Sequence, residues 1–91
     1  MKENIGSKLM AVADLSGELA PGIPLVELAG DKRVLIENHN GVIQYGSESI
    51  RIKVKYGQIC ICGGSLRLSF MTKGQLIING QIDSLQIVRG C

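Results

Sequence analysis

The chain is poor in aromatic residues, in charged residues and in the side chains that most often carry catalysis. Its 91 residues include one Phe, two Tyr, no Trp and a single histidine, His39, and only 20% of them are charged. Because general acid–base chemistry needs positioned titratable groups, so short a polar inventory gives little support to an enzyme. The shortage of aromatics also disfavours nucleic acid as a partner, since sequence-tolerant binding uses aromatic rings for base stacking.

The chain also lacks long hydrophobic runs and has few cysteines. No apolar run approaches the roughly 18–20 residues of a membrane span, and the N-terminus shows no apolar segment of signal-peptide length. The cysteine count is three, and an odd number without a secretory signal indicates a reducing compartment rather than a disulfide framework. We therefore expect a cytoplasmic protein, with peripheral contact to a membrane left open.

What the chain has in abundance is aliphatic side chains. Hydrophobic residues make up 45% of it, and Ile, Leu and Val alone account for 28 of the 91 residues. This content excludes an intrinsically disordered chain, which combines low hydrophobicity with high net charge. A chain of this length supports one small domain with one core.

The N-terminal part has the spacing of an amphipathic helix. Residues 3–15 are expected to form it, because their apolar members recur near i, i+4 and i+7: Ile5, Leu9, Val12 and Leu15. The Gly- and Pro-containing stretch that follows stops the helix and forms a loop. The sequence thus predicts two parts, an N-terminal helix and loop (1–22) and an all-β domain (23–91).

From Val34 onward the hydrophobic period changes to two, which is typical of β-strands. The alternation predicts a buried face made of Ile50, Ile52, Val54, Leu66, Leu68 and Phe70. Turn signals, which include Gly63-Gly64 and Lys73-Gly74, then divide the region into about seven short strands. These are expected at roughly 33–39, 42–45, 49–55, 58–62, 65–71, 75–78 and 81–88.

Two Asn-Gly pairs, Asn40-Gly41 and Asn79-Gly80, are predicted to be tight hairpin turns. The type I′ turn requires positive φ at both central residues, which Asn and Gly tolerate best. We therefore predict a mainly β fold, in which the short helix precedes an antiparallel meander or roll, or a small sandwich. A β-solenoid with coils of about 17 residues is the alternative, because its strands show a similar alternation.

Two groups of residues are candidate reaction centres, His39 and the pair Cys60 and Cys62. His39 lies beside a turn, and the favoured interpretation is a turn residue that hydrogen-bonds the local backbone. Cys60 and Cys62 lie on one strand and face the same side, but a zinc site needs about four ligands and the spacing supplies none of the others. We expect small packing residues there, and we predict no catalytic residue, no metal site and no cofactor.

The strongest surface feature is a basic row formed by Arg51, Lys53 and Lys55, with Arg67 on the strand after next. Three like charges at i, i+2 and i+4 project from one face of a strand and repel one another, so an anionic neighbour would stabilise them. The contrasting interpretation is a solvated sheet face with lysines that protect an edge.

Several segments together resemble the YabP/YqfC family of sporulation proteins. They are PLVELAG (24–30), IENHNGVIQY (36–45), IRI (50–52), GQICICG (57–63) and GQIDSL (80–85). Their order and spacing cover roughly residues 24–88 and are most similar to the YqfC side of the family. In the second segment, the turn that carries the family motif contains Glu37, Asn38, His39 and Gly41.

The resemblance implies a role in endospore formation, in the mother-cell cytoplasm, beside a larger membrane-associated sporulation protein. It implies no enzymatic activity. The expected function is therefore a structural or adaptor domain that docks a protein partner, with self-association left open. The alternative is a basic-face module for anionic lipid or nucleic acid, and an enzyme that uses His39 or Cys60 is the least favoured hypothesis.

Overall fold

The computed structural model describes residues 22–90, and all its regular structure is β-strand. The strands are β1 (Leu25–Ala29), β2 (Arg33–Glu37), β3 (Val42–Tyr45), β4 (Ser49–Val54), β5 (Gly57–Met71) and β6 (Gln75–Arg89). The helix predicted over residues 3–15 lies outside the described residues. Within residues 22–90 there is no helix with the length and apolar character needed to cross a bilayer.

The six strands form one open antiparallel sheet in the order β1-β2-β6-β5-β4-β3. Strands β3 to β6 form a meander, and the β1–β2 hairpin lies beside β6. The mainly β antiparallel prediction is confirmed. The solenoid alternative is wrong, because every strand pair runs antiparallel.

The two longest strands correct the prediction of seven strands. Gly63-Gly64 and Asn79-Gly80 are not reversals, because β5 and β6 each continue through them for 15 residues. Asn79 does not have the positive φ that a type I′ turn requires, whereas Gly80 has φ 141°. At Gly80 the two strands approach so closely that a Cβ would lie 2.6 Å from the Ser65 carbonyl oxygen. Glycine is needed here because the two backbones are in close contact, and not because the chain turns.

At this point the pairing of β5 with β6 shifts register between Cys62 and Gly63 and again between Gly64 and Arg67. Such bulges sharpen the local twist and bend a strand. The bend divides the sheet into two parts. Half-sheet 1 contains β1, β2, residues 75–79 of β6 and 67–71 of β5. Half-sheet 2 contains β3, β4, residues 57–62 of β5 and 84–89 of β6.

The inner faces of the half-sheets enclose one aliphatic core. Its buried members are Val34, Ile36, Ile50, Ile52, Val54, Ile59, Ile61, Leu66, Leu76, Ile78 and Ile82. Four of the six predicted core positions are buried and Leu68 packs against the cluster. The prediction for Phe70 is wrong: it is 45% exposed. A register shift after Leu68 pairs Phe70 with Ile77, and such a one-residue slip turns a side chain to the opposite face.

The segment Asn40-Gly41 is also not a hairpin turn. Strand β2 pairs with β1 and β6, whereas β3 pairs with β4, so the two flanking strands are not partners. Asn38, at φ 67°, and Gly41, at φ 117°, direct the chain from half-sheet 1 into half-sheet 2. The positive φ values that Asn and Gly tolerate therefore serve the crossing between the two half-sheets here, and not a hairpin turn.

Candidate functional site

The segment Glu37–Gly41, which we call the His39 corner, connects the two half-sheets through its backbone. The Asn38 amide donates to the Gly74 carbonyl at 2.6 Å, in the turn between β5 and β6. On the other side, the Asn40 amide donates to the Lys53 carbonyl at 2.7 Å, and the Lys53 amide donates to the Gly41 carbonyl at 2.8 Å. Through these hydrogen bonds the His39 corner joins the β5–β6 turn, in half-sheet 1, to β4, in half-sheet 2.

His39 uses both ring nitrogens inside this corner. Its side chain is 6% exposed and is the buried polar residue of the described core region. The Gly41 amide donates to Nδ1 at 3.0 Å, and Nε2 lies 3.0 Å from the Thr72 carbonyl oxygen. Because Nδ1 accepts a hydrogen bond, the arrangement assigns the proton to Nε2, which donates to Thr72.

Glu37 and Asn38, also in the family motif, make further contacts at the corner. The Gln75 side-chain amide donates to the Glu37 carboxylate at 3.1 Å, and the Asn38 side-chain amide donates to the Ile23 carbonyl at 2.8 Å. Thr72 and Gln75 were missed by sequence reasoning. The only signal near them was the Lys73-Gly74 turn, which gave no hint that this turn meets the histidine.

The two cysteines share one face of their strand, as predicted, but Cys62 is exposed and neither belongs to the buried core. Cys60 and Cys62 are on the outer face of half-sheet 2, and the Cys60 thiol lies 3.9 Å from the Gln58 side-chain oxygen. Across the described residues 22–90, no cluster of three His, Cys, Asp or Glu side chains could hold a metal ion.

The basic residues are only partly brought together. Arg51 and Lys53 share the outer face of half-sheet 2, opposite Cys60 and Gln58 of β5. Lys55 follows the end of β4, in the connection to β5. Arg67 pairs with Asn79 beyond the bend, so it belongs to half-sheet 1 and to a different surface.

The outer face of half-sheet 1 carries an apolar row that sequence reasoning did not identify. Leu35 pairs with Ile77, and Ile77 pairs with Phe70, so the three side chains lie side by side across three strands. Leu35 and Ile77 also line a depression of about 400 Å³, whose other walls include Glu27 and Arg33. Sequence reasoning missed this row because nothing in the sequence marks the register shift that turns Phe70 outward.

Taken together, these features define the class of small all-β domains built from one bent sheet with two dissimilar outer faces. Within that class, the YabP family model matches residues 24–90, so the chain belongs to the YabP/YqfC family. The match covers nearly all of the described residues and includes the His39 corner.

A curated relative extends the comparison over almost the whole chain. The uncharacterized protein YqfC of Bacillus subtilis (strain 168) is 22% identical over 87 residues, which cover 96% of this chain and 94% of the relative. No solved structure matches the chain closely enough to count as a relative.

Proposed function

We propose that this chain is a non-enzymatic adaptor of endospore formation, which docks a membrane-associated protein partner in the mother cell. Membership of the YabP/YqfC family supports the link to sporulation. The use of both His39 nitrogens in backbone hydrogen bonds supports a structural role for the most distinctive polar residue of the motif.

The observation that carries the docking function is the apolar row of Leu35, Ile77 and Phe70. Contiguous apolar patches on an outer face mark sites of interaction, because their exposure to water is unfavourable in an isolated domain. The equivalent rows on half-sheet 2 hold Arg51 beside Cys60 and Lys53 beside Gln58. The two outer faces therefore differ in chemistry, and the row suits an apolar segment of a protein partner.

The test combines a pull-down from sporulating cells with a count of heat-resistant spores. We expect Phe70→Ser with Ile77→Thr to abolish recovery of the membrane-associated partner and to lower spore counts, at an unchanged melting temperature. The control is Gln86→Ala, an exposed position on the other outer face, which should leave both readouts intact.

Normal partner recovery by the Phe70/Ile77 double variant would reject this face as the docking site. Normal spore counts after deletion of the gene would reject the link to sporulation. A sporulation defect in Cys60→Ser, with the fold intact, would argue instead for chemistry at that thiol.

A second candidate function rests on Arg51 and Lys53. In the described part of the chain neither side chain has an ion-pair partner, and their neighbours across β5 are uncharged. Two adjacent cations without counter-charges favour an anionic surface such as a phospholipid bilayer.

We expect sedimentation with phosphatidylglycerol vesicles at low salt, weakened at high salt because the attraction is electrostatic. Arg51→Gln with Lys53→Gln should remove the binding, whereas Arg67→Gln, on the other half-sheet, should not. Equal vesicle binding by the unmodified chain, the Arg51/Lys53 double variant and Arg67→Gln would reject the basic face as the binding site. Tighter binding of the unmodified chain to an oligonucleotide than to vesicles would indicate nucleic acid instead.

A further inference from the structure

On β1 and the last part of β6, three apolar side chains point toward the core side of the sheet and yet remain exposed. Val26, Leu28 and Ile87 are 37%, 53% and 55% exposed. The register fixes their direction, because their cross-strand partners Ile36, Val34 and Ile59 are all buried, and directly paired residues share a face. The aliphatic interior is thus uncovered along β1 and the last part of β6.

These residues lie along a gap that we call the seam, between β1 and residues 84–89 of β6. Strand β1 ends the sheet, and residues 84–89 pair only with β5. One end of the seam is closed by the Ile82 amide, which donates to the Asp31 carbonyl at 2.8 Å. On the other side of the molecule, the Leu68 amide donates to the Tyr45 hydroxyl at 3.3 Å and bridges β5 to β3. No such bridge crosses the seam among residues 22–90.

The described chain begins at the other end of the seam. A methyl group placed on Gly22 would lie 3.8 Å from Lys55 Cδ. Lys55 adjoins Tyr56, whose carbonyl accepts a hydrogen bond from the Gly90 amide at 3.0 Å, and Gly57 pairs with Arg89. The described chain therefore starts, at Gly22, on the side of the sheet that holds the last residues of β6.

The preceding segment has the length and the pattern to cover this gap. A helix over residues 3–15 would be about 20 Å long at 1.5 Å per residue, and the five residues of β1 span about 17 Å. The residues that separate such a helix from Gly22 are enough chain to reverse direction. On that helix, Ile5, Leu9 and Val12 would form one apolar face.

We propose that residues 3–15 of the same chain pack over the seam, with Ile5, Leu9 and Val12 against Val26, Leu28 and Ile87. A short tether holds the segment at an effective concentration in the millimolar range, which favours it over a second copy of the chain at ordinary concentrations. This contact is separate from the outer apolar row and from the basic residues, so it does not depend on either proposed function.

Methyl NMR on the full chain tests the contact directly. We expect nuclear Overhauser effects between Leu9 or Val12 methyls and those of Val26, Leu28 or Ile87. Leu9→Ser with Val12→Ser should shift the three seam signals and raise amide exchange in β1 by about tenfold, since a covered strand exchanges through opening of its cover. The matched control, Ala11→Ser with Ala13→Ser, leaves the apolar face unchanged and should do neither.

The reciprocal variant, Leu28→Ser with Ile87→Ser, should raise amide exchange within residues 3–15. Because both its positions are exposed in the described structure, it is expected to keep the core intact. In a mixture of labelled and unlabelled chains, effects seen only between chains would overturn the proposal in favour of a second copy. If the Val26, Leu28 and Ile87 signals did not shift in the variant with Leu9→Ser and Val12→Ser, the proposal would be overturned in favour of an external partner.

Discussion

At the scale of single residues, His39 shows how one side chain can join distant parts of a small sheet. Its two nitrogens connect Gly41, two residues away, with Thr72, 33 residues away. The sequence predicted a turn histidine with local backbone hydrogen bonds, and the bond to Gly41 is of that kind. The bond to Thr72 was beyond prediction, because nothing local in the sequence indicates that the β5–β6 turn meets the corner.

Replacing His39 tests the energetic weight of the corner. We expect His39→Ala to lower the free energy of unfolding by about 1–3 kcal/mol, because the Thr72 carbonyl and the Gly41 amide lose their partner at a partly buried site. Asn40→Ala is the control, since it keeps the backbone hydrogen bonds of its position. Urea unfolding measures both, and equal stability of the two variants would contradict the role given to the imidazole.

Asp31 gives a prediction for the pH dependence of stability. The hydrogen bond from the Gln81 side chain, at 2.9 Å, and the charge of Lys32 hold the pKa of this carboxyl below its ordinary value of 3.8. A lowered pKa means that the ionised form stabilises the folded state above the unfolded pKa, and that this contribution is lost as the pH falls through the folded pKa.

We therefore expect Asp31→Asn to be less stable than the unmodified chain at pH 6, with the difference shrinking as the pH falls below 3.8. Melting temperatures measured across that range provide the test. A difference that grows on acidification would show that the sign is wrong.

At the scale of elements, β5 and β6 show where pattern reading succeeds and fails. Alternation identified the inward residues of β4, and Leu66 and Leu68 of β5, because the two-residue period is uninterrupted in both stretches. It failed at Gly63-Gly64 and Asn79-Gly80, since glycine that permits close backbone approach has the same sequence signature as glycine in a turn. It failed at Phe70 because a bulge reverses the faces without any mark in the sequence.

Gly63 and Gly64 allow an experimental test of whether glycine is needed for close backbone approach at this bend. A Cβ on Gly63 would lie 1.8 Å from the Gln81 carbonyl oxygen, whereas one on Gly64 would meet nothing within 4 Å. We expect Gly63→Ala to destabilise the domain by about 3 kcal/mol or to prevent folding, because the clash is with backbone. Gly64→Ala should stay within about 0.5 kcal/mol of the unmodified chain. Similar thermal unfolding of both variants would mean that the strands do not meet at this bend.

At the scale of the whole molecule, the two half-sheets share one core, so they should unfold together. Ile78, in half-sheet 1, and Ile61, in half-sheet 2, are both fully buried in the same cluster. The family and the antiparallel class could be predicted from the sequence, through the order of short segments and the alternation. The pairing of β2 with β6 could not, because it joins residues about 40 positions apart through a register that only the assembled core selects.

Conservative core substitutions test this coupling. Ile61→Val and Ile78→Val should each cost about 0.5–1.5 kcal/mol. Each should raise amide exchange equally in both half-sheets, because a small domain with one core opens as a unit. Faster exchange confined to the half-sheet that carries the substitution would show two separate folding units.

The bend in β5 and β6 also fixes a distance. By placing half of one sheet over the other half, it makes the domain two backbone layers thick, and packed β-layers stand about 10 Å apart. Because β5 and β6 run through both layers, the layers cannot slide past each other without breaking continuous chain. A molecule bound to the outer face of one half-sheet is therefore held at a fixed distance from a molecule bound to the outer face of the other. The domain thus has the geometry of a rigid spacer.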